Sequence, residues 1–137
     1  QDRNPEQVAN IQRGGYVLRD HHDAQALLMA TSSELDLAVQ AAELLAAEGI
    51  PVRVVSLPCV ERFLRQDPEY LTSVLPASLP KRLAIEAGVS NGWWRLVGDS
   101  GDVMGLNRFG ESAPGPELFE HFGFNPARVA ERLKALL

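Results

Sequence analysis

A single cysteine, Cys59, stands among the 137 residues, so no intrachain disulfide can form. A small disulfide-stapled secreted scaffold is excluded, and a reducing cytoplasm is the expected compartment. Histidine is equally scarce, with His21, His22 and His121 the full set. His21 and His22 are adjacent, and neighbours on an extended strand point to opposite faces. No nearby cysteine or third histidine completes the roughly four ligands of a closed zinc site, so both are expected as solvent-exposed turn residues with no metal bound. No apolar run approaches the roughly 20 residues that span a bilayer, so no membrane partner is expected. Basic runs with interleaved aromatics are missing too. The 13 Lys and Arg are interspersed with 18 Asp and Glu, for a net charge of −5, which argues against nucleic acid as a partner. Neither the glycine-rich dinucleotide fingerprint nor a phosphate-binding Walker sequence occurs. The chain opens on Gln1-Asp2-Arg3-Asn4-Pro5, without an initiator Met or the basic and apolar regions of a signal peptide. Residues 1–14 are therefore expected to be a linker from a preceding domain, and residues 15–137 one domain of ordinary size.

What is present has the composition of a globular protein, 45% apolar and 23% charged. After the Arg13-Gly14-Gly15 turn, Tyr16 to Arg19 reads as a first strand, and Asp20 to Asp23 as a polar turn. Ala26-Leu27-Leu28-Met29-Ala30 is a continuous apolar run, the mark of a strand buried on both faces. Ser32 and Ser33 offer helix-capping hydroxyls, and Ser33 with Asp36 has capping-box spacing. A helix is expected from Glu34 to about Glu48, with Leu35, Ala38, Ala42 and Leu45 on one face and Gly49 as its left-handed stop. The β-branched run from Val52 to Ser56 reads as the next strand. Strand, helix and strand in this span make a βαβ unit with parallel strands and a right-handed crossover. Further elements are expected at Val60 to Arg65, Pro68 to Val74 and Asn91 to Val97 (short helices), and at Lys81 to Glu86 and Asp102 to Leu106 (strands). Two terminal helices complete the pattern, Pro116 to Phe122 and Pro126 to Leu137, the latter capped by Asn125. The expected fold is α/β: three layers, a mostly parallel sheet of about five strands, and helices on both faces.

Open parallel sheets bind ligands beyond the carboxyl ends of their strands. Here those ends carry Thr31-Ser32-Ser33, Ser56, Glu86 with Ser90, and Asn107-Arg108. Ser32, Ser33 and Arg108 are the candidate anion crevice, through hydroxyls, helix N–H groups and a guanidinium. Alternatively the serines cap helices and Arg108 pairs with a carboxylate. Thr31-Ser32-Ser33 has a faint likeness to a flavodoxin phosphate loop, without the flanking aromatics a flavin needs. Glu86 and Glu111 offer two carboxylates at no fixed separation. Cys59 has no sequence-adjacent histidine to activate it and reads as structural. Trp93 and Trp94 are adjacent on a helix and cannot both face one core, so one of them is expected at another surface.

A set of motifs in fixed order then points to a family. Phe109-Gly110-Glu111-Ser112-Ala113-Pro114, followed by Leu118 to Phe124, resembles the segment near the end of transketolases, commonly F-G-E/A-S-A-P, a short helix, then F-G-F/I-T. Ala30-Thr31-Ser32-Ser33-Glu34-Leu35 is similar to the family's A-T-G-S-E-V, with Ser32 where the family usually has glycine. Val52 to Pro58 is similar to V-R-V-V-S-M-P, and Glu86-Ala87-Gly88 with Trp93-Trp94 to E-A-G followed by an aromatic pair. The resemblance spans about residues 15 to 137 and implies the C-terminal α/β domain of a transketolase. It implies that Glu86, Gly88, Phe109, Gly110, Glu111, Ser112 and Pro114 are structural motif residues. It further implies a homodimeric parent that uses thiamine diphosphate and Mg²⁺ (or Ca²⁺) to move a two-carbon ketol unit between sugar phosphates. In the family the cofactor, metal and substrate residues belong to upstream domains, so no catalytic, cofactor or metal residue is carried onto this chain. The expected partners are the upstream domains of the same chain and a second subunit. Two other readings stay open at this point: a self-standing small-ligand or regulatory module, and the related C-terminal domain of a keto-acid dehydrogenase or deoxyxylulose-phosphate synthase.

Overall fold

The computed structural model describes residues 12–31, 34–86, 94–98, 100–105 and 125–137. Five strands form one sheet: β1 (Tyr16–Arg19), β2 (Ala26–Ala30), β3 (Val52–Ser56), β4 (Arg82–Glu86) and β5 (Asp102–Gly105). Among the described residues five helices accompany them: α1 (Leu35–Ala47), α2 (Val60–Leu64), α3 (Pro68–Val74), α4 (Trp94–Val97) and α5 (Pro126–Lys134). Sheet order is β1-β3-β2-β4-β5. β2 pairs parallel with both β3 and β4, and β5 runs parallel to β4. β1 is antiparallel to β3 on one edge. Its register slips between Val17 and Arg19, which leaves Leu18 unpaired and exposed at an irregularity that twists and blunts the edge.

β2 is central, and its sequence says so, because all five of its residues are buried. Strand alternation sends Ala26, Leu28 and Ala30 into one core and Leu27 and Met29 into the other. The first core is closed by α1 and α5. Ala38, Ala41, Ala42 and Leu45 of α1 and Val129, Ala130 and Leu133 of α5 pack on Val54, Leu83 and Ile85. The second is closed by α2, α3 and α4 through Phe63, Val74, Leu96 and Val97 against Val55, Ala84 and Val103. Small alanines on α1 let the helix lie close to the sheet, while Leu45 and Leu133 fill the space between. Each such fully buried leucine stabilises the fold by about 1.5–3 kcal/mol relative to an exposed one.

Local signals end the elements as expected at several points. Gly49 follows α1 with φ +81°, and its amide donates to Ala46 O (3.0 Å), the left-handed stop of a helix. Asn125 caps α5, its Oδ1 accepting from Arg128 N at 2.9 Å, with Pro126 at the first helical position. Lys134 to Glu48 (2.9 Å) ties α5 to α1, and Arg132 to Asp102 (2.8 Å) ties it to β5. Gly14, at φ +84°, brings the chain against α2: a Cβ there would collide with Cys59 O and Phe63 N.

Other expectations shift. α1 starts at Leu35, one residue late, and its boundary residue is Glu34, which makes no side-chain cap bond. The Glu34 amide donates to Thr31 O (3.1 Å), forming a tight turn that delays the helix. The Ser33 half of the expected capping box lies outside the described residues. The third of the short helices is described only as Trp94–Val97, and the last helix stops at Lys134. Pro116 to Phe122 and Trp93 lie outside the described residues. Cys59 is exposed at the start of α2, not packed in the core; its backbone is what serves structure, with its amide donating to Gly14 O (3.0 Å) and its carbonyl accepting from Phe63 N (3.0 Å).

Candidate functional site

The sheet order creates a switch point. The helix after β2 (α1) lies on one face and the helix after β4 (α4) on the other, so the chain diverges at the adjacent carboxyl ends of β2 and β4. Ligands of open α/β sheets sit in such a crevice. The expected candidates follow from this edge: Ser32 and Ser33 come after β2, Gly88 after β4, and Arg108 with Phe109, Gly110, Glu111, Ser112 and Pro114 after β5. All of these lie outside the described residues. Glu86 closes β4, its backbone paired in register with Gly105 of β5. β5 runs parallel, so its carboxyl end at Gly105 lies at the same end of the sheet as the carboxyl end of β2 at Ala30.

At that end Glu34 is 4% exposed and accepts a hydrogen bond from Thr31 Oγ1. A carboxylate at a helix start is favourable against the positive end of its dipole. It also places negative charge where an anion would have to bind. Ser56, buried at the end of β3, and Leu57, whose amide donates to Ala30 O (2.8 Å), complete the described floor of this edge.

The opposite end of the sheet holds a feature that sequence reasoning missed. A groove of about 500 Å³ opens beside the amino ends of β2 and β3, lined by Arg19, Asp20, His21, Asp23 and Glu43 among others. The polar turn between β1 and β2 forms its rim. Asp20 is held by Arg53 of β3 through two parallel contacts, Nε to Oδ1 and Nη2 to Oδ2, each 3.0 Å. The Arg53 guanidinium is what holds the Asp20 carboxyl below its usual range; partial burial opposes this and the His21 amide assists it. His21 and His22 are exposed, as expected, but they do not diverge. Their rings stack at 4.8 Å with 12° between planes. The strand argument fails because these residues sit in a turn, closed by Ala24 N to His21 O at 3.0 Å. The only sequence signal was the cluster Asp20-His21-His22-Asp23 itself.

A family model described as a transketolase-like TK C-terminal domain matches residues 14–125. The chain belongs to the transketolase C-terminal domain family.

Curated transketolases are similar to this chain along its length. Transketolase 1 of Pasteurella multocida is 50% identical over 140 residues, covering 99% of this chain and 21% of the relative. Transketolase 1 of Vibrio cholerae is 50% identical over 138 residues, covering the whole chain and again 21% of the relative. The chain thus spans about a fifth of the length of the curated relatives it matches. A Pichia stipitis transketolase, solved in complex with sedoheptulose-7-phosphate, superposes with a TM-score of 0.85 at 40% identity, over 94% of this chain and 18% of that one. A split-gene transketolase, described as an inactive β4 tetramer, shares the fold at 23% identity, with a TM-score of 0.69 over 92% of this chain and 43% of that one.

The described residues of this transketolase domain hold no cluster that suits a hard divalent ion. Their one cluster of candidate metal ligands is His21, His22 and Asp23, and two of its three donors are imidazole nitrogens. Mg²⁺ and Ca²⁺ take oxygen ligands.

Proposed function

We propose that the chain is the C-terminal domain of a full-length transketolase, with residues 1–14 leading in from a preceding domain and 15–137 forming the domain. The parent transfers a two-carbon ketol unit between ketose and aldose phosphates with thiamine diphosphate and Mg²⁺ or Ca²⁺. This domain serves assembly, packing against the upstream domains of its own chain and against the second subunit of a homodimer, and it catalyses nothing alone. A cytoplasmic location fits the single cysteine, and no helix among the described residues is long and apolar enough to cross a membrane. The observation that carries the reading is end-to-end similarity near 50% to transketolases of which the chain is only a fifth.

Calorimetry with thiamine diphosphate and Mg²⁺, beside a coupled ketol-transfer assay, tests it. The 137-residue chain is expected to be silent in both, and a chain extended through the upstream domains to be active. Submicromolar cofactor binding by the 137-residue chain, or an extended chain without ketol transfer, overturns the reading.

A second reading adds a weak anion site at Ser32, Ser33 and Arg108. The parallel direction of β5 favours it and the buried Glu34 opposes it. Phosphate titration followed by amide shifts at residues 31–35 and 107–112 separates an anion site from a purely structural edge.

A further inference from the structure

We propose that the turn between β1 and β2 is a binding site for a first-row transition-metal ion of the Zn²⁺ or Ni²⁺ kind, with His21, His22 and Asp23 as its ligands. One ligand atom from each residue already lies within 4.8 Å of the others. His22 Nε2 stands 3.1 Å from Asp23 Oδ2. A tetrahedral ion with bonds of about 2.0–2.1 Å holds its ligand atoms roughly 3.3–3.5 Å apart. Closing the cluster needs a contraction of up to about 1.5 Å, and one imidazole must turn out of the stack so that both ring nitrogens face the ion, a rotamer change open to exposed side chains.

The turn is built to hold them. Ala24 N to His21 O closes it, placing His22 and Asp23 at its two corners. The His21 amide donates to Asp20 Oδ1 at 2.8 Å, and Asp20 is gripped by Arg53. Arg53 is only 15% exposed, and its Nη1 donates to Ser73 O and Val74 O at 2.9 and 3.0 Å. The base of the turn is thus tied through β3 to α3. Asp23 N donates to His21 Nδ1 at 3.0 Å. An ion that takes this nitrogen displaces one hydrogen bond in an exposed turn, where water replaces it.

The donor set selects the ion. Two imidazole nitrogens with one carboxylate suit Zn²⁺, Ni²⁺ or Cu²⁺, and Mg²⁺ and Ca²⁺ prefer all-oxygen sites. Asp20 and Glu43 line the adjoining groove, but each is paired with an arginine, Arg53 at 3.0 Å and Arg19 at 3.8 Å, so Asp23 supplies the negative charge at the ion. Three protein ligands leave a coordination position for water. The site lies at the amino end of the parallel strands, away from the carboxyl edge, and it does not depend on the transketolase reading.

Zn²⁺ titration by calorimetry, with the histidine ring resonances followed by NMR, tests the proposal. Cys59→Ser is the background, because the exposed thiol would otherwise compete for the ion. The expected result is one Zn²⁺ per chain, shifts at the His21 and His22 rings, and no saturable heat with Mg²⁺. His21→Ala, His22→Ala and Asp23→Asn should each weaken binding by more than about ten-fold, the least that even supporting groups of a metal site contribute. All three residues are exposed, so unchanged circular dichroism is expected of each variant. Absence of saturable Zn²⁺ binding, or equal binding by the His21→Ala/His22→Ala double variant, overturns the proposal.

Discussion

Loss of the Arg82 side chain should cost this domain heavily, because its guanidinium donates to four backbone carbonyls. It opens β4 and points into the layer closed by α2, α3 and α4. Nε donates to Leu79 O (2.8 Å), Nη1 to Leu96 O (2.9 Å), and Nη2 to both Leu75 O (3.1 Å) and Pro76 O (2.9 Å). Three of these carbonyls belong to the connection between α3 and β4 and one to α4, so a single planar fork ties two segments together. Burial pushes the guanidinium pKa below its usual value, yet arginine stays charged in proteins. Hydrogen bonds from a charged donor are worth about 1.5–3 kcal/mol each, and four bonds to one group are not additive. Carbonyls at the rim recover water when the fork is removed, whereas the more enclosed ones do not. Arg82→Met, which keeps most of the apolar stem, is therefore expected to lose about 3–5 kcal/mol. Arg82→Lys keeps the charge but replaces a rigid fork with one ammonium, and it should recover less than half of that loss. Urea unfolding of the three proteins at neutral pH, with a common slope, measures both differences. A Met variant within about 0.5 kcal/mol of wild type would refute the reasoning. A Lys variant equal to wild type would show that charge, not fork geometry, is what matters.

Leu45 is fully buried on α1 against the sheet, so Leu45→Ala should destabilise by about 2–5 kcal/mol, read as a lower denaturant midpoint; a midpoint near the parent's would mean the helix is rotated away from the sheet. The Asp20–Arg53 pair gives a pH signature. The Arg53 guanidinium holds the Asp20 carboxyl below its usual range, so its stabilisation is present above the unfolded carboxylate range and disappears as pH falls through the lower folded value. Because Asp20 is 47% exposed, the pair is worth no more than about 1 kcal/mol. Wild type should exceed Asp20→Asn in urea midpoint at neutral pH, and the gap should close as pH falls below the lowered Asp20 range; a gap that persists under fully acidic conditions would assign the effect to packing rather than charge.

The sequence by itself determined the elements whose causes are local. The five-residue apolar run at Ala26 to Ala30 needs both faces covered, which made it a central strand. The β-branched run at Val52 to Ser56 and the apolar stripe ending at Leu45 then set the βαβ unit. Asn125-Pro126 and Gly49 marked a helix start and a helix stop through bonds that span only three or four residues. The ordered motifs from Thr31 to Phe124 carried the family, because a family is a property of sequence. What the tertiary structure decided was everything that depends on distant chain segments meeting. β1 runs antiparallel beside β3, on the hydrogen-bonding edge of β3 that β2 leaves free. The switch point between β2 and β4 exists only once β3 and β4 have taken opposite sides of β2. Arg82 and Arg53 looked like ordinary strand arginines until the connections from Leu75 to Leu79 and from Ser73 to Val74 brought carbonyls to them. His21 and His22 are the plainest case. The same two residues diverge on a strand and stack in a turn, and the backbone that chooses between those outcomes is held by Arg53, more than 30 residues away.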